Sequence, residues 1–305
     1  MIKLSAVVFA YSEVGYVCLD ELLSRGVKVK AVFTHEDDPG EEVWFPSVAK
    51  RAGEAGIPVF TPENLGDREY ELLLSMRPDA LFSFYYRFMI PERFLTLAPK
   101  GAFNMHGSLL PKYRGRACIN WAVIMGEKET GATLHYMVKR ADAGDVVDRE
   151  RVPILFEDTA YDVGKKVASA SRVLIARNVE AIDDGTVLSE PQDESRATYF
   201  GRRTPADGRI DWTKSAQEIY NLIRAVTRPF PGAFAFAGEK VFIWKAVPEE
   251  GLQYAAAPGT VVSLSPLRVM TGRGCLKILS LQREGGPEIN GEIQSDEIKA
   301  GALFH

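Results

Sequence analysis

The sequence predicts an α/β domain on a mostly parallel sheet, followed by a second, smaller domain that is a β-barrel. Three observations predict it. Apolar runs of strand length alternate with segments of helical spacing as far as Asp184. Beyond Ser189 the pattern changes to a polar stretch, one helix and short strands separated by turn residues. The length, 305 residues, exceeds what one small core serves.

The elements follow in order. Leu4 to Ala10 is a continuous apolar run, as in a strand buried on both faces. Val14 to Leu23 has helical spacing and stops at Arg25-Gly26. Val27 to Thr34 is a second strand, Phe45 to Gly56 a helix, and Ile57 to Phe60 a short third strand. Glu69 to Met76 is a helix, Ala80 to Tyr85 a fourth strand and Gly101 to Met105 a fifth. Ala117 to Gly126 reads as a helix and Thr133 to Val138 alternates as a strand. Asp158 caps a long helix that Gly185 stops. These β-α repeats imply helices on both faces of a mostly parallel sheet. The domain therefore spans residues 1–189, a polar linker 190–206, and the β-barrel domain 207–305. The last part opens with a helix from Ala216 to Val226, ended by Pro229, Pro231 and Gly232. Five short strand candidates follow between Ala233 and Gln282.

Composition removes several classes. Hydrophobic content of 46% and charged content of 26% are ordinary for a soluble globular chain, and a formal charge of −4 argues no general affinity for nucleic acid. The three cysteines, Cys18, Cys118 and Cys275, make no CxxC pair, so neither a metal site nor a disulfide framework is indicated, and a cytoplasmic setting fits. No apolar run is long enough to insert in a membrane. The first strand leads into AYSEVG, without GxGxxG, and no GxxxxGK[ST] occurs, so the usual dinucleotide and triphosphate fingerprints are missing.

The chemistry concentrates in FNMHGSLLPKYRGRACINW, Phe103 to Trp121, where one of only four histidines ends a strand. Alternation puts Asn104 and His106 on one side of that strand, roughly 6–7 Å apart. An asparagine N–H can hold a carbonyl oxygen as it becomes an oxyanion, and a histidine can move a proton near neutral pH. Asp142, in the KRADAGD that follows the Thr133–Val138 strand, is the candidate to charge and orient the imidazole. No serine or cysteine sits in a nucleophile elbow, which argues against a covalent hydrolase.

Asn-x-His, Ser-Leu-Leu-Pro and Arg-Gly, with the later ADAGD, resemble the signature of the 10-formyltetrahydrofolate-dependent formyltransferases, in order and in spacing. The resemblance implies a Rossmann-like formyltransferase domain and an OB-like C-terminal barrel, whose leading helix and turn RIDWTKSAQEIYNLIRAV-x-x-PFPGA resembles. It implies that Asn104 holds the formyl oxygen, His106 is the general acid/base and Asp142 assists it. It implies folate contacts at Phe88, Met89, Ile90, Arg116, Val138, Lys139, Arg140, Ala141 and Asp142, with 10-formyltetrahydrofolate as co-substrate and no metal. Where the family usually has proline, this chain has Cys118, read as a small packed residue.

Four branches of the family compete for the acceptor. Glycinamide ribonucleotide enzymes usually lack the second domain, and formyltetrahydrofolate hydrolases often carry a regulatory domain not seen here. Methionyl-tRNA formyltransferases share the two-domain plan, but their loop after the second strand is typically basic. Here it reads THEDDPGEEVWFPSVA, with Asp37, Asp38, Glu41 and Glu42, a poor surface for a phosphate backbone. The stretches FTHEDDPGE, FSFYYR, HGSLLPKYRGRA, MVKRADAG and FGRRTP together resemble the formyltransferase module of the UDP-4-amino-4-deoxy-L-arabinose pathway of lipid A modification. That resemblance implies a nucleotide-linked amino sugar as partner, with no nucleic acid. Lys112, Arg202 and Arg203 are candidates for its diphosphate. It leaves open a separate or fused nicotinamide-dependent decarboxylase, a homo-oligomer, another amino sugar, and a member that binds folate or nucleotide sugar without catalysis.

Overall fold

The apolar run near the N-terminus becomes β1 (Ser5–Ala10), every residue of it buried, with partners on both sides. The structure, a computed structural model, describes residues 2–37, 43–290 and 298–305. After β1 come α1 (Ser12–Ser24), β2 (Lys28–Phe33), α2 (Val48–Glu54), β3 (Val59–Phe60), α3 (Asp67–Met76), β4 (Ala80–Phe84), α4 (Glu92–Leu95) and β5 (Ala102–His106). The chain continues through β6 (Arg114–Gly115), α5 (Cys118–Ile124), β7 (Glu129–Tyr136), β8 (Val146–Pro153) and α6 (Ala160–Asp184) to β9 (Tyr199–Phe200). The main sheet has the order β3-β2-β1-β4-β5-β7-β8. Its first five strands run parallel, β7 is reversed, and β8 pairs antiparallel with β7 at the edge. The strand order reverses direction between β1 and β4, the switch point beside which α/β sheets keep their ligands.

Three details differ from the expectation. The helix expected from Phe45 begins only at Val48. Pro46 disfavours helical backbone before it, and Ser47 caps the first turn by accepting from Lys50 N at 3.2 Å. The long helix is capped by Thr159 instead of Asp158: Thr159 Oγ1 accepts from Asp162 N, and Asp162 returns a bond to Thr159 N at 2.9 Å. The strand β8 was not expected at all, because its sequence, VVDRERVP, is too charged to read as part of a sheet.

By its contacts the chain divides into two units. The first comprises residues 1–118, 129–153 and 164–201, and the second residues 119–128, 154–163 and 202–305. The second unit contains α7 (Ala216–Val226) and β10 (Ala233–Ala237), β11 (Glu239–Glu249), β12 (Val261–Leu264), β13 (Leu267–Met270), β14 (Cys275–Arg283) and β15 (Glu288–Asn290). These strands form an antiparallel sheet of order β10-β11-β14-β13-β12, with β15 on β14. A capping box starts α7: Ser215 Oγ accepts from Glu218 N at 3.2 Å and Glu218 Oε2 from Ser215 N at 2.9 Å. Among the described residues no helix is long and apolar enough to cross a membrane.

Candidate active site

At the carboxyl edge of the parallel strands, β5 ends in Asn104-Met105-His106. Alternation turns Met105 into the core and leaves Asn104 and His106 on the opposite side. Antiparallel pairing with β7 sets His135 directly opposite Asn104. The chain leaves β7, turns through residues 137–145 and brings Asp142 back over this pair. The Asp142 backbone has a left-handed φ of 56°, a conformation aspartate tolerates better than most side chains.

The carboxylate of Asp142 sits at the centre. Its Oδ2 accepts from the Gly115 backbone N–H at 2.8 Å. Its Oδ1 lies 3.5 Å from His106 Nδ1, 3.5 Å from Asn104 Nδ2 and 3.7 Å from His135 Nε2. The distance to His106 is that of an ion pair rather than a tight hydrogen bond. On its other side, His106 Nε2 donates to the Tyr113 carbonyl at 2.8 Å. Gly115 is required twice over. Its φ of 100° suits only glycine, and a Cβ there would come within 2.3 Å of the Phe200 carbonyl oxygen. The Arg-Gly of the motif therefore serves a backbone donor to Asp142.

Protonation follows from the partners. His135 Nδ1 lies 2.8 Å from the Tyr136 carbonyl, which can only accept, so Nδ1 carries the proton and Nε2 is bare. Bare Nε2 then accepts from Asn104 Nδ2 at 3.0 Å, which fixes the orientation of the Asn104 amide. One amide proton is committed to His135. The second, with only the long contact to Asp142, can turn to an incoming oxygen. Burial holds the His135 imidazole down at about 4, helped by the neighbouring His106 cation. Burial alone would also push His106 down. The Asp142 carboxylate, then the Cys118 thiol and the Tyr113 carbonyl, outweigh it and raise His106 to about 10. The site thus pairs a cationic with a neutral imidazole.

The sign of the pH dependence follows. His106 binds its proton more tightly in the native state, so its contribution to stability is complete below the usual 6.5 and is lost as pH rises through about 10. His135 resists protonation in the native state, so stability falls as pH drops from 6.5 through about 4. Nitrogen-detected NMR of the imidazoles at pH 7 is expected to show both nitrogens of His106 protonated and His135 protonated at Nδ1 alone. A neutral His106 at that pH would contradict the ion pair.

The surroundings divide into groups that sequence indicated and groups it did not. Cys118 is buried beside the cluster. The Tyr85 hydroxyl lies against Gly107, buried and without a hydrogen-bond partner among the described residues. Of the residues expected to meet the folate, Ile90 is in the core, whereas Phe88, Met89 and Val138 are 42%, 61% and 44% exposed, unusual for apolar side chains. Phe88 stands edge-on to His35 at 4.7 Å, and His35 stacks on Tyr86 at 4.3 Å. Arg116 donates to the Arg87 carbonyl, Lys139 lies 3.9 Å from Glu92 and Arg140 pairs with Glu194 at 2.9 Å, while Ala141 is exposed.

Lys112 is exposed in the first unit. Arg202 and Arg203 belong to the second, where the Arg203 guanidinium lies over the Trp121 ring at 4.7 Å and donates to the Asp207 carbonyl. The acidic loop is represented by Asp37, which accepts from the Tyr11 hydroxyl at 2.9 Å. Asp38, Glu41 and Glu42 lie outside the described residues. Beside Asp37, a cavity of about 200 Å³ opens at the ends of β1 and β2, lined by Tyr11, Ser12, His35 and Phe45 among others. Sequence reasoning missed His135 and Gln192, and it missed the backbone roles of Tyr113 and of Gly115, the glycine of the Arg-Gly motif. His135 left only the trace of a histidine within an alternating strand.

The chain matches the formyl transferase family over residues 6–179 and the formyl transferase C-terminal domain over residues 202–294. Among solved structures it is similar to an N-formyltransferase from Helicobacter canadensis in complex with folinic acid and dTDP-3-aminofucose. The identity is 22%, covering 91% of this chain and 99% of that one, at a TM-score of 0.71. It is similar too to a sugar 3N-formyltransferase solved with dTDP and 5-N-formyltetrahydrofolate (20% identity, 92% and 97% coverage, TM-score 0.70). A 4-N formyltransferase from Francisella tularensis matches at 21% identity over 79% of this chain and 96% of its own, with a TM-score of 0.64. At these identities the likeness is one of fold.

Proposed function

The chain belongs to the formyl transferase family, and from that premise we propose that it transfers a formyl group from 10-formyltetrahydrofolate to the 4-amino group of a UDP-linked amino sugar, UDP-4-amino-4-deoxy-L-arabinose. The single observation that carries the chemistry is the Asn104–His106–Asp142 cluster. It offers an amide donor and a buried cationic imidazole beside one carboxylate, all within 3.5 Å of Asp142 Oδ1.

Each residue has a defined task in this reading. The Asn104 N–H not committed to His135 turns from its long contact with Asp142 to stabilise the formyl oxygen as negative charge develops on it, a preorganised donor in a site shielded from water. His106 arrives charged and supplies the proton that the departing folate nitrogen needs. The C–N bond to folate breaks as the amine–carbon bond forms, and the proton shed by the attacking amine returns to His106, whose charged form Asp142 stabilises. The exposed Phe88, Met89 and Val138 fit a flat, partly apolar donor such as a pterin, and their exposure in the free protein would be covered when it binds. The step requires no redox change.

The acceptor is argued from charge. Asp37, Asp38, Glu41 and Glu42 lie within six residues of one another in the sequence, and an acidic segment of this kind favours a small diphosphate-linked ligand over the many phosphates of a tRNA. The similar structures, one with dTDP-3-aminofucose and one a sugar 3N-formyltransferase with dTDP, support a nucleotide sugar as the class. The place in lipid A modification, with resistance to cationic peptides as its consequence, rests on the sequence resemblance.

An acceptor panel tests the choice. UDP-, dTDP- and GDP-linked 4-amino sugars and methionyl-tRNA are each offered with the formyl donor at physiological salt. Turnover is expected on the UDP sugar, with none of use on tRNA. Changing Asp37, Asp38, Glu41 and Glu42 to lysine is expected to raise tRNA binding and leave sugar turnover largely unchanged. Efficient formylation of methionyl-tRNA without formylation of any sugar would overturn the acceptor assignment.

A further inference from the structure

Residues 190–206 look like a polar linker, yet Gln192 reaches back into the site. Its Nε2 donates to the Asp142 carbonyl at 2.8 Å and to the Gly144 carbonyl at 2.7 Å. Its Oε1 accepts from Arg114 Nε at 3.1 Å and Arg114 Nη2 at 2.8 Å. Both amide protons and both oxygen lone pairs are thereby used, and the amide can sit only one way round. Arg114, at 0% exposure, is itself anchored by Glu194 at 2.7 Å and by the Tyr199 hydroxyl. The next residue, Gly115, holds the Asp142 carboxylate from the other side.

The Asp142 backbone needs such support. A left-handed conformation in a residue other than glycine persists only where its surroundings determine it. Within the turn, the contact from Ala143 N to the Arg140 carbonyl is long, at 3.3 Å. The two carbonyls flanking Ala143 both accept from the side chain of Gln192, 50 residues away from Asp142.

We propose that Gln192 is a positioning residue: tied to buried Arg114, its amide clamps the Asp142–Gly144 backbone so that the Asp142 carboxylate stays against His106. The proposal rests on the reading that the His106–Asp142 pair performs formyl transfer. Glutamine suits the task for a chemical reason. A carboxylate of the same shape can accept from Arg114 but would present oxygen to two carbonyl oxygens. Glutamate at this position should therefore push the loop away while keeping the anchor.

The experiment compares the wild type with Gln192→Glu and Gln192→Met in melting temperature, formyl-transfer kinetics and the NMR titration of His106. His106 is faced by Asp142 from the loop after β7, by His135 from β7 and by Cys118 from the start of α5. The last two are undisturbed by the change, so a shift in titration reports on Asp142. Both variants are expected to lower kcat about 10–100-fold, the range typical of partners that orient a reacting group. The His106 titration should move from about 10 toward 6.5. If Gln192→Glu does not fold, Gln192→Met supplies the same readouts. A lower melting temperature with unchanged kcat and unchanged His106 titration would overturn the proposal, since a merely structural residue behaves so. A shifted titration in a protein whose wild type formylates no acceptor would support the clamp and remove the functional reading beneath it.

Discussion

Replacing His106 with alanine, or Asp142 with asparagine, is expected to lower kcat for formyl transfer by about 10²–10⁴-fold while the protein still folds, the usual effect of removing a positioned acid/base. The two changes act by different routes. His106→Ala deletes the group that carries the proton. Asp142→Asn keeps the shape and the bond from Gly115 N–H but removes the largest of the contributions that together outweigh burial at His106. With that charge gone, the His106 value falls from its wild-type level. The pH–rate profile of Asp142→Asn should accordingly lose activity at lower pH than that of the wild type, which holds until pH approaches the His106 value of about 10. Because the residues act as a unit, the double variant should be little worse than His106→Ala alone. Turnover near the wild-type level in both single variants, with donor saturating, would remove this pair from the chemistry.

Gly144→Ala is expected to cost about 10²-fold in kcat without touching any reacting side chain. An alanine Cβ at this position would lie 1.9 Å from the Tyr136 carbonyl oxygen and 2.8 Å from its carbon. Both are backbone atoms at the end of β7, where Tyr136 pairs with Phe103, so the strand cannot give way. The loop must move instead. The Gly144 carbonyl is one of the two that Gln192 holds, and Asp142 lies two residues away. A displacement of about 1 Å in a catalytic group is enough for a loss of this size. The glycine of Asp-Ala-Gly is thus explained by a close backbone approach. Retained activity together with an unchanged Asp142–His106 geometry would show that the loop has slack the structure does not suggest.

How much of this could be read beforehand depended on where the information lies. The parallel core was legible because β1 and β4 are short, mostly apolar runs and β2 is a β-branched stretch between clear breakers. The strand β8 was not. It lies at the sheet edge, and edge strands carry charge that discourages further pairing: Arg149 and Arg151 reach Glu190 and Glu129, and Arg177 covers Asp148 and Glu150. At the site, Asn104 and His106 declared themselves through alternation, and Asp142 through its place after a strand. His135 did not, because its position opposite Asn104 depends on an antiparallel register that periodicity leaves undetermined. Tyr113 and Gly115 contribute only a carbonyl and an N–H, which every residue possesses. Gln192 stood in a segment polar enough to pass for solvent-exposed chain, and only the fold reveals that it meets Arg114 and Asp142.

The most direct measurement follows the formyl carbon itself. The protein is mixed with 10-formyltetrahydrofolate labelled with ¹³C in the formyl group and with a UDP-linked 4-amino sugar, and the products are resolved by NMR and mass spectrometry. The expected result is a ¹³C-formamide on the sugar nitrogen, formed in a one-to-one ratio with tetrahydrofolate and abolished by His106→Ala. Free ¹³C-formate with unmodified sugar, or no consumption of the donor across all nucleotide-linked amino sugars tried, would contradict the account.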